Sequence, residues 1–269
     1  MNIYAQLRAT VESYLPQAPR ADTQRSAPRA PQAQRGGRAI SFAGGDAPTN
    51  RPDGGDQKWA TRATPSSNAF QRGTQPITAR AYTPNELVSG FSQKWGTMNC
   101  VTVAGIKAAM QRFGGPNQVY SSVEQTRDGF NIRMRDNPNL TYHVNYAELK
   151  YAAERSGFKG TNQKMLNEAN FMYAVSAKRA QVENNNGYAR QSFAAALNSL
   201  DSWEHTHEGL YRLGLSNYVQ QTNAQDLING APGVMAQDNH VVTVLNGRKD
   251  NYGTPGYRPD PWMQALKLR

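Results

Sequence analysis

Cysteine is nearly absent from this chain: Cys100 is the only one in 269 residues, and only four histidines accompany it. One cysteine excludes an intramolecular disulfide framework, and with so few histidines a structural zinc site or other metal centre is not expected. No residue pattern asks for a cofactor either. Long apolar runs are missing too; none approaches the roughly 18 residues of a membrane-spanning helix. The opening MNIYAQLRATVESYLPQ has no charged segment leading into an apolar one, so it is not read as an ordinary secretory signal. No repeat of solenoid period is visible.

Residues 1–80 also lack any sustained apolar periodicity. They hold eight of the fifteen prolines and seven glycines, with eleven Lys/Arg against five Asp/Glu, which is +6 of the formal +10. Such a segment buries too little surface to offset the entropy of ordering, so a disordered basic tail is expected over 1–80 and a folded domain over 81–269. Ile3, Leu7, Val11 and Leu15 recur every four residues, the pattern of a marginal helix ended by Pro16. The tail arginines stand singly among Pro, Gln and Ser, without interleaved aromatics, so specific nucleic-acid recognition is not indicated.

Order is expected to begin at AYTPNELVSGF. Thr83 is placed to cap, Pro84 takes the first helical position and Glu86 completes a capping box. A second helix runs through TMNCVTVAGIKAAMQRFGG to Gly114-Gly115. FNIRMRD and LTYHVN, around NPN, form a hairpin, and Asn145 with Glu148 caps a helix that Gly157 ends. QKMLNEANFMYAVSAKRAQVE, ARQSFAAALNSLDSW and the shorter EGLYRLGL are helical, with NNNGY breaking the first two apart. Strand character returns over residues 216–245 in NYVQQT, GVMAQ and HVVTVL. LNGR then supplies a type I′ turn into the return strand RKDNY. The class is α+β: a helix-rich N-terminal half packed on an antiparallel β-sheet. Trp95 is read as packing and Trp262 as closing the core near the C-terminus.

Cys100 admits two readings. Cysteine is among the most buried residue types, and a lone one on a helix is usually packing. Asn99, however, is a favoured N-cap, which puts Cys100 at the first helical position, where free backbone N–H groups and the helix dipole favour a thiolate and an oxyanion formed beside it. An attacking thiolate needs a base. His143 lies within a hairpin strand, and His205 and His207 sit in a polar connection read as solvated surface. Those two are two residues apart and face different ways, unlike the helical zinc motif. His240 opens an apolar strand directly after a turn, on a rigid scaffold.

An orienting partner for His240 follows from the hairpin register. With Asn246-Gly247 as a two-residue turn, Leu245 faces Arg248 and His240 faces Gly253. That sets Asn251 diagonally beside His240 and Asp250 on the other face unless a bulge intervenes. Asp260, among the prolines of 255–261, ranks third after Asn251 and Asp250.

An early cysteine at a helix N-terminus, a histidine opening a late strand and an amide or carboxylate on the next strand resemble the papain-like cysteine proteases, over about residues 84–262. The signature of the plant and lysosomal members is absent from GTMNCVTV. The resemblance implies a papain-like fold, thiol proteolysis by Cys100, His240 and Asn251 or Asp250, and an oxyanion-hole role for Gln93, seven residues before Cys100. The long Arg/Pro/Gln/Ser tail is similar to bacterial effectors delivered by type III secretion. That likeness implies secretion into a host cell, a chaperone at the N-terminus and a host protein as substrate. The same Cys-His pair would also serve a deamidase or a transglutaminase-type acyl transferase. The alternative from another class is a non-catalytic interaction protein with a basic disordered arm, in which Cys100 is core.

Overall fold

The computed structural model of the protein describes residues 81–202 and 204–269. The expected tail over 1–80, with its Ile3–Leu15 pattern and Trp59, lies outside the described residues.

Helix α1, Pro84–Gly90, begins at the expected capping box. The Thr83 backbone N–H donates to the Glu86 carboxylate at 2.8 Å and the Glu86 N–H donates to the Thr83 hydroxyl at 3.4 Å. The short strand β1, Ser92–Gln93, follows, and then α2, Cys100–Arg112. Ten consecutive residues of α2, Val101–Met110, are buried, so this helix is wrapped on every side. A short α3, Pro116–Val119, leads into three antiparallel strands, β2 Ser122–Gln125, β3 Gly129–Arg133 and β4 Thr141–Asn145. The β3–β4 hairpin matches expectation, and β2 adds a third strand to it.

Asn145 and Glu148 form the second expected capping box, opening α4, Tyr146–Arg155. Strand β5, Phe158–Lys159, pairs with β1, and the long α5, Gln163–Glu183, crosses the core. The NNNGY break is real: Asn184 and Asn186 both adopt left-handed φ, of 57° and 53°. The expected second helix of this region is split by Ser192 into a 3-10 turn, Ala189–Gln191, and α6, Phe193–Leu200. Helix α7 is Glu208–Arg212.

The C-terminal part is a six-stranded antiparallel sheet. Its strands are β6 Val219–Asn223, β7 Gly233–Gln237, β8 His240–Leu245, β9 Arg248–Asn251, β10 Thr254–Pro255 and β11 Gln264–Leu268, in the order β10-β9-β8-β7-β11-β6. Helix α8, Ala224–Ile228, interrupts the stretch expected to be all strand. Strand β8 is buried from Val241 to Leu245, four of those five residues apolar, because it is covered on both faces. Val241 and Leu245 join the main core against α2, whereas Val242 and Val244 join a smaller cluster under α8.

Two tryptophan expectations are overturned. Trp262 is 81% exposed, since Ala265 and Leu268 of β11 fill the C-terminal core in its place. Trp95 is 77% exposed and meets Tyr252 at a tilt of 55°. Among the described residues no helix is long and apolar enough to cross a membrane. The class is therefore α+β with antiparallel sheets.

Candidate active site

Cys100 is the first residue of α2, as the spacing requires, but Asn99 does not cap the helix with its side chain. Its backbone, at φ −92° and ψ 27°, is not in the extended conformation of a capping residue. Fully buried, it instead donates its side-chain amide to the Ser156 carbonyl at 2.8 Å and accepts from the Thr97 hydroxyl at 3.1 Å. Asn99 thus pins the residue before the thiol to the end of α4. The Asn99 side chain therefore supplies no acceptor to the first-turn N–H groups of α2.

The neighbouring helix fixes α2 from the other side. Gly105 and Gly209 meet where α2 crosses α7: a Cβ on Gly105 would stand 2.8 Å from the Gly209 carbonyl carbon, and one on Gly209 2.3 Å from the Val101 carbonyl oxygen. Only glycine permits backbones to approach so closely.

His240 follows the Asp238-Asn239 turn and pairs with Gln237 across it. The β8–β9 hairpin has the predicted register, Leu245 opposite Arg248 and Val244 opposite Lys249, around Asn246 and Gly247 at φ 53° and 73°. Beyond that point expectation fails. Strand β9 stops at Asn251 because Tyr252 and Gly253, at φ 51° and 88°, reverse the chain into β10, so Gly253 does not face His240. Gly253 packs instead against Ser92.

That reversal decides which side chains meet. Gln93, Cys100, His240, Asp250 and Tyr252 line one small cavity of about 10 Å³, space for little more than a water molecule. Of the two β9 candidates, Asp250 and not Asn251 lines it. Asn251 is exposed and shares with His240 an open groove of about 580 Å³, also lined by Arg248 and Tyr257. The imidazole therefore stands between a small recess holding the thiol and an open groove on the sheet. Asp260 is exposed and accepts from the Trp262 N–H at 3.0 Å beside β11; it does not line the recess.

Asp250 is buried and fully engaged. Its Oδ2 accepts from Lys107 Nζ at 2.7 Å, and its Oδ1 accepts from the Gly253 N–H at 3.1 Å. Lys107 has no exposed surface and its ammonium lies 5.2 Å from the centre of the Phe91 ring. Burial pulls its ionisation below the ordinary lysine range, and the Asp250 charge pulls it back. Burial likewise holds the His240 imidazolium below its ordinary value, with Asp250 partly opposing, so at neutral pH the ring is a free base. No hydrogen bond joins His240 to Asp250 or Asn251 among the described residues; Asp250 acts on the ring through its charge.

Tyr252 covers the ring, its centroid 5.1 Å from that of His240 at 16°, and Trp95 meets Tyr252 at 5.0 Å with its ring tilted by 55°. Burial and the proximity of Cys100 raise the Tyr252 phenol above its usual range. Gln93 is buried, and its side-chain amide donates to the Thr97 carbonyl, bracing the loop before the thiol.

The remaining histidines are elsewhere. His143 Nδ1 lies 2.9 Å from Asn131 on the three-stranded sheet. His205 and His207 stack at 5.9 Å and line a separate depression beside β6 and β11. His205 is exposed, but His207 is half-buried and its imidazolium is disfavoured, first by burial, so the connection is less solvated than expected. Among the described residues no group of three or more His, Cys, Asp or Glu gathers as metal ligands.

Sequence reasoning missed Lys107 and Tyr252. Lys107 carried a signal, the one charged residue in the stretch Val101–Met110, seven residues, two turns, after Cys100. Tyr252 carried a weaker one, since Tyr-Gly is an unusual pair for a turn with both residues left-handed. No family model matches the chain, and comparison with curated proteins and with solved structures finds no match.

Proposed function

We propose that the protein is a thiol hydrolase of papain-like type acting on amide bonds. The observation that carries this reading is the shared recess: a helix N-terminal Cys100 and a strand-opening His240 line it together with Asp250 and Gln93. His240, neutral at physiological pH, takes the Cys100 proton as the sulfur bonds to the amide carbonyl carbon. The carbonyl becomes an oxyanion facing the first-turn N–H groups of α2, with Gln93 beside it. The imidazolium, supported by the Asp250 charge, returns its proton to the leaving nitrogen as the C–N bond breaks. Water then adds to the thioester, gives up a proton to His240, and releases the acid and the thiol.

If the leaving nitrogen is the side-chain amide of glutamine, the same steps give deamidation, and an amine in place of water gives acyl transfer. The composition of residues 1–80, together with the likeness to delivered effectors, supports a host protein as substrate and a chaperone-binding, secreted N-terminus.

The test is digestion of a complex proteome-derived peptide mixture, read by mass spectrometry. New peptide ends with wild type and none with Cys100→Ala are expected. Glutamine-to-glutamate conversion without new ends would assign the deamidase. Neither change, or equal changes with both proteins, would overturn the reading.

A further inference from the structure

We infer that Lys107 is a positioning residue of the site: its ammonium, buried two turns behind the thiol on the same helix, fixes the Asp250 carboxylate that supports His240. The inference rests on the Cys-His reading above. Its basis is an arrangement in which one helix supplies both the attacking sulfur and the clamp on the acidic group. Lys107 reaches across from α2 to Asp250 on β9 at 2.7 Å, with neither side chain more than 8% exposed. The Gly253 N–H holds the second oxygen. Between them these donors occupy one position on each carboxylate oxygen, and the side chain has one orientation left to it.

A cation in a protein core is costly to desolvate, and a methionine-sized apolar side chain would fill the same space without that cost. A site-building role accounts for its presence. Lys107 and Asp250 tie α2 to the β9 end of the sheet at the level of His240. Any sliding of the helix against β8 would therefore move sulfur and carboxylate together.

The ionisable groups around the recess are Cys100 and Lys107 from α2, His240 from β8, Asp250 from β9 and Tyr252 from the turn after it, with Asp238, Arg248, Lys249 and Tyr257 on the groove side. Without the ammonium, Asp250 loses its counter-charge and the donor that fixes it beside the ring. The imidazolium formed during attack then loses its fixed anion. Replacing Lys107 by Met, Asp250 by Asn, or both should consequently have one and the same effect.

The experiment is alkylation of Cys100 by iodoacetamide as a function of pH, with thermal unfolding of each variant to establish that it is folded. Lys107→Met, Asp250→Asn and the double variant should each lower the plateau rate about tenfold, the size of a coupling inside one charged network. All three should move the acid inflection to lower pH. Should Lys107→Met fail to fold, the double variant, which strands no buried charge, is compared with Asp250→Asn and must match it. A folded Lys107→Met with wild-type rate and inflection would overturn the inference, as would an inflection moved to higher pH or a double variant differing severalfold from Asp250→Asn. Wild-type Cys100 alkylating like an ordinary thiol, unaffected by His240→Ala, would instead remove the Cys-His reading, and this inference with it.

Discussion

Tyr252 combines an uncommon backbone conformation with a contact to His240. Its φ of 51° is one that a bulky side chain seldom adopts, at about 1–3 kcal/mol. The ring lies flat on His240 and touches Trp95. Tyr252→Asn, which tolerates that backbone, should leave stability within about 1 kcal/mol of wild type while releasing the imidazole, so that alkylation of Cys100 slows severalfold. Parallel urea melts and alkylation rates check this, and an unchanged rate would leave Tyr252 as a turn residue alone. Asn99→Ala removes a buried 2.8 Å bond to Ser156 and strands that carbonyl, a loss of about 1–3 kcal/mol by urea unfolding. A mere capping role would cost about 1 kcal/mol and leave the loop before Cys100 in place.

At the scale of elements, the crossing of α2 and α7 through Gly105 and Gly209 sets where the thiol stands. Gly105→Ala forces a methyl against the Gly209 backbone, which has no rotamer to move. The expected destabilisation is about 1–3 kcal/mol, read as a lower urea midpoint at unchanged slope. The helices and strands themselves were legible in the sequence wherever a local signal existed. The two capping boxes, the Asn-Gly hairpin and the apolar strand behind His240 all stand where their residue types place them. Long-range packing was not legible. A ladder extrapolated from Asn246-Gly247 assumes that β9 runs straight, and the Tyr252-Gly253 reversal ends it two residues early. That one local feature moved Asn251 out to the groove and left Asp250 in the recess. Asn99 failed as a cap for a related reason: a partner 57 residues away competes for its amide better than the helix next to it.

Across the whole molecule, buried ionisable groups tie stability to pH in opposite senses. Burial raises Glu204 to about 7 and Asp201 to about 6, and Glu204 is held by Arg212 at 2.5 Å. An acid whose folded value is raised contributes stability that is full below its unfolded value and is lost as pH rises through the folded one. His207 and His240 are shifted down by burial, so their contribution is present above the unfolded histidine value and is lost as pH falls. Glu204→Gln should therefore flatten the loss of stability between about pH 5 and about pH 7.5 without changing the loss at lower pH. Urea unfolding across that range checks the difference. The central claim concerns the recess that joins the two halves of the fold. It is tested most directly by the pH profile of Cys100 alkylation in wild type and His240→Ala. The account predicts that wild type alkylates rapidly at pH values where an ordinary thiol reacts slowly, and that the profile moves to higher pH once the imidazole is gone. Superimposable profiles would contradict it.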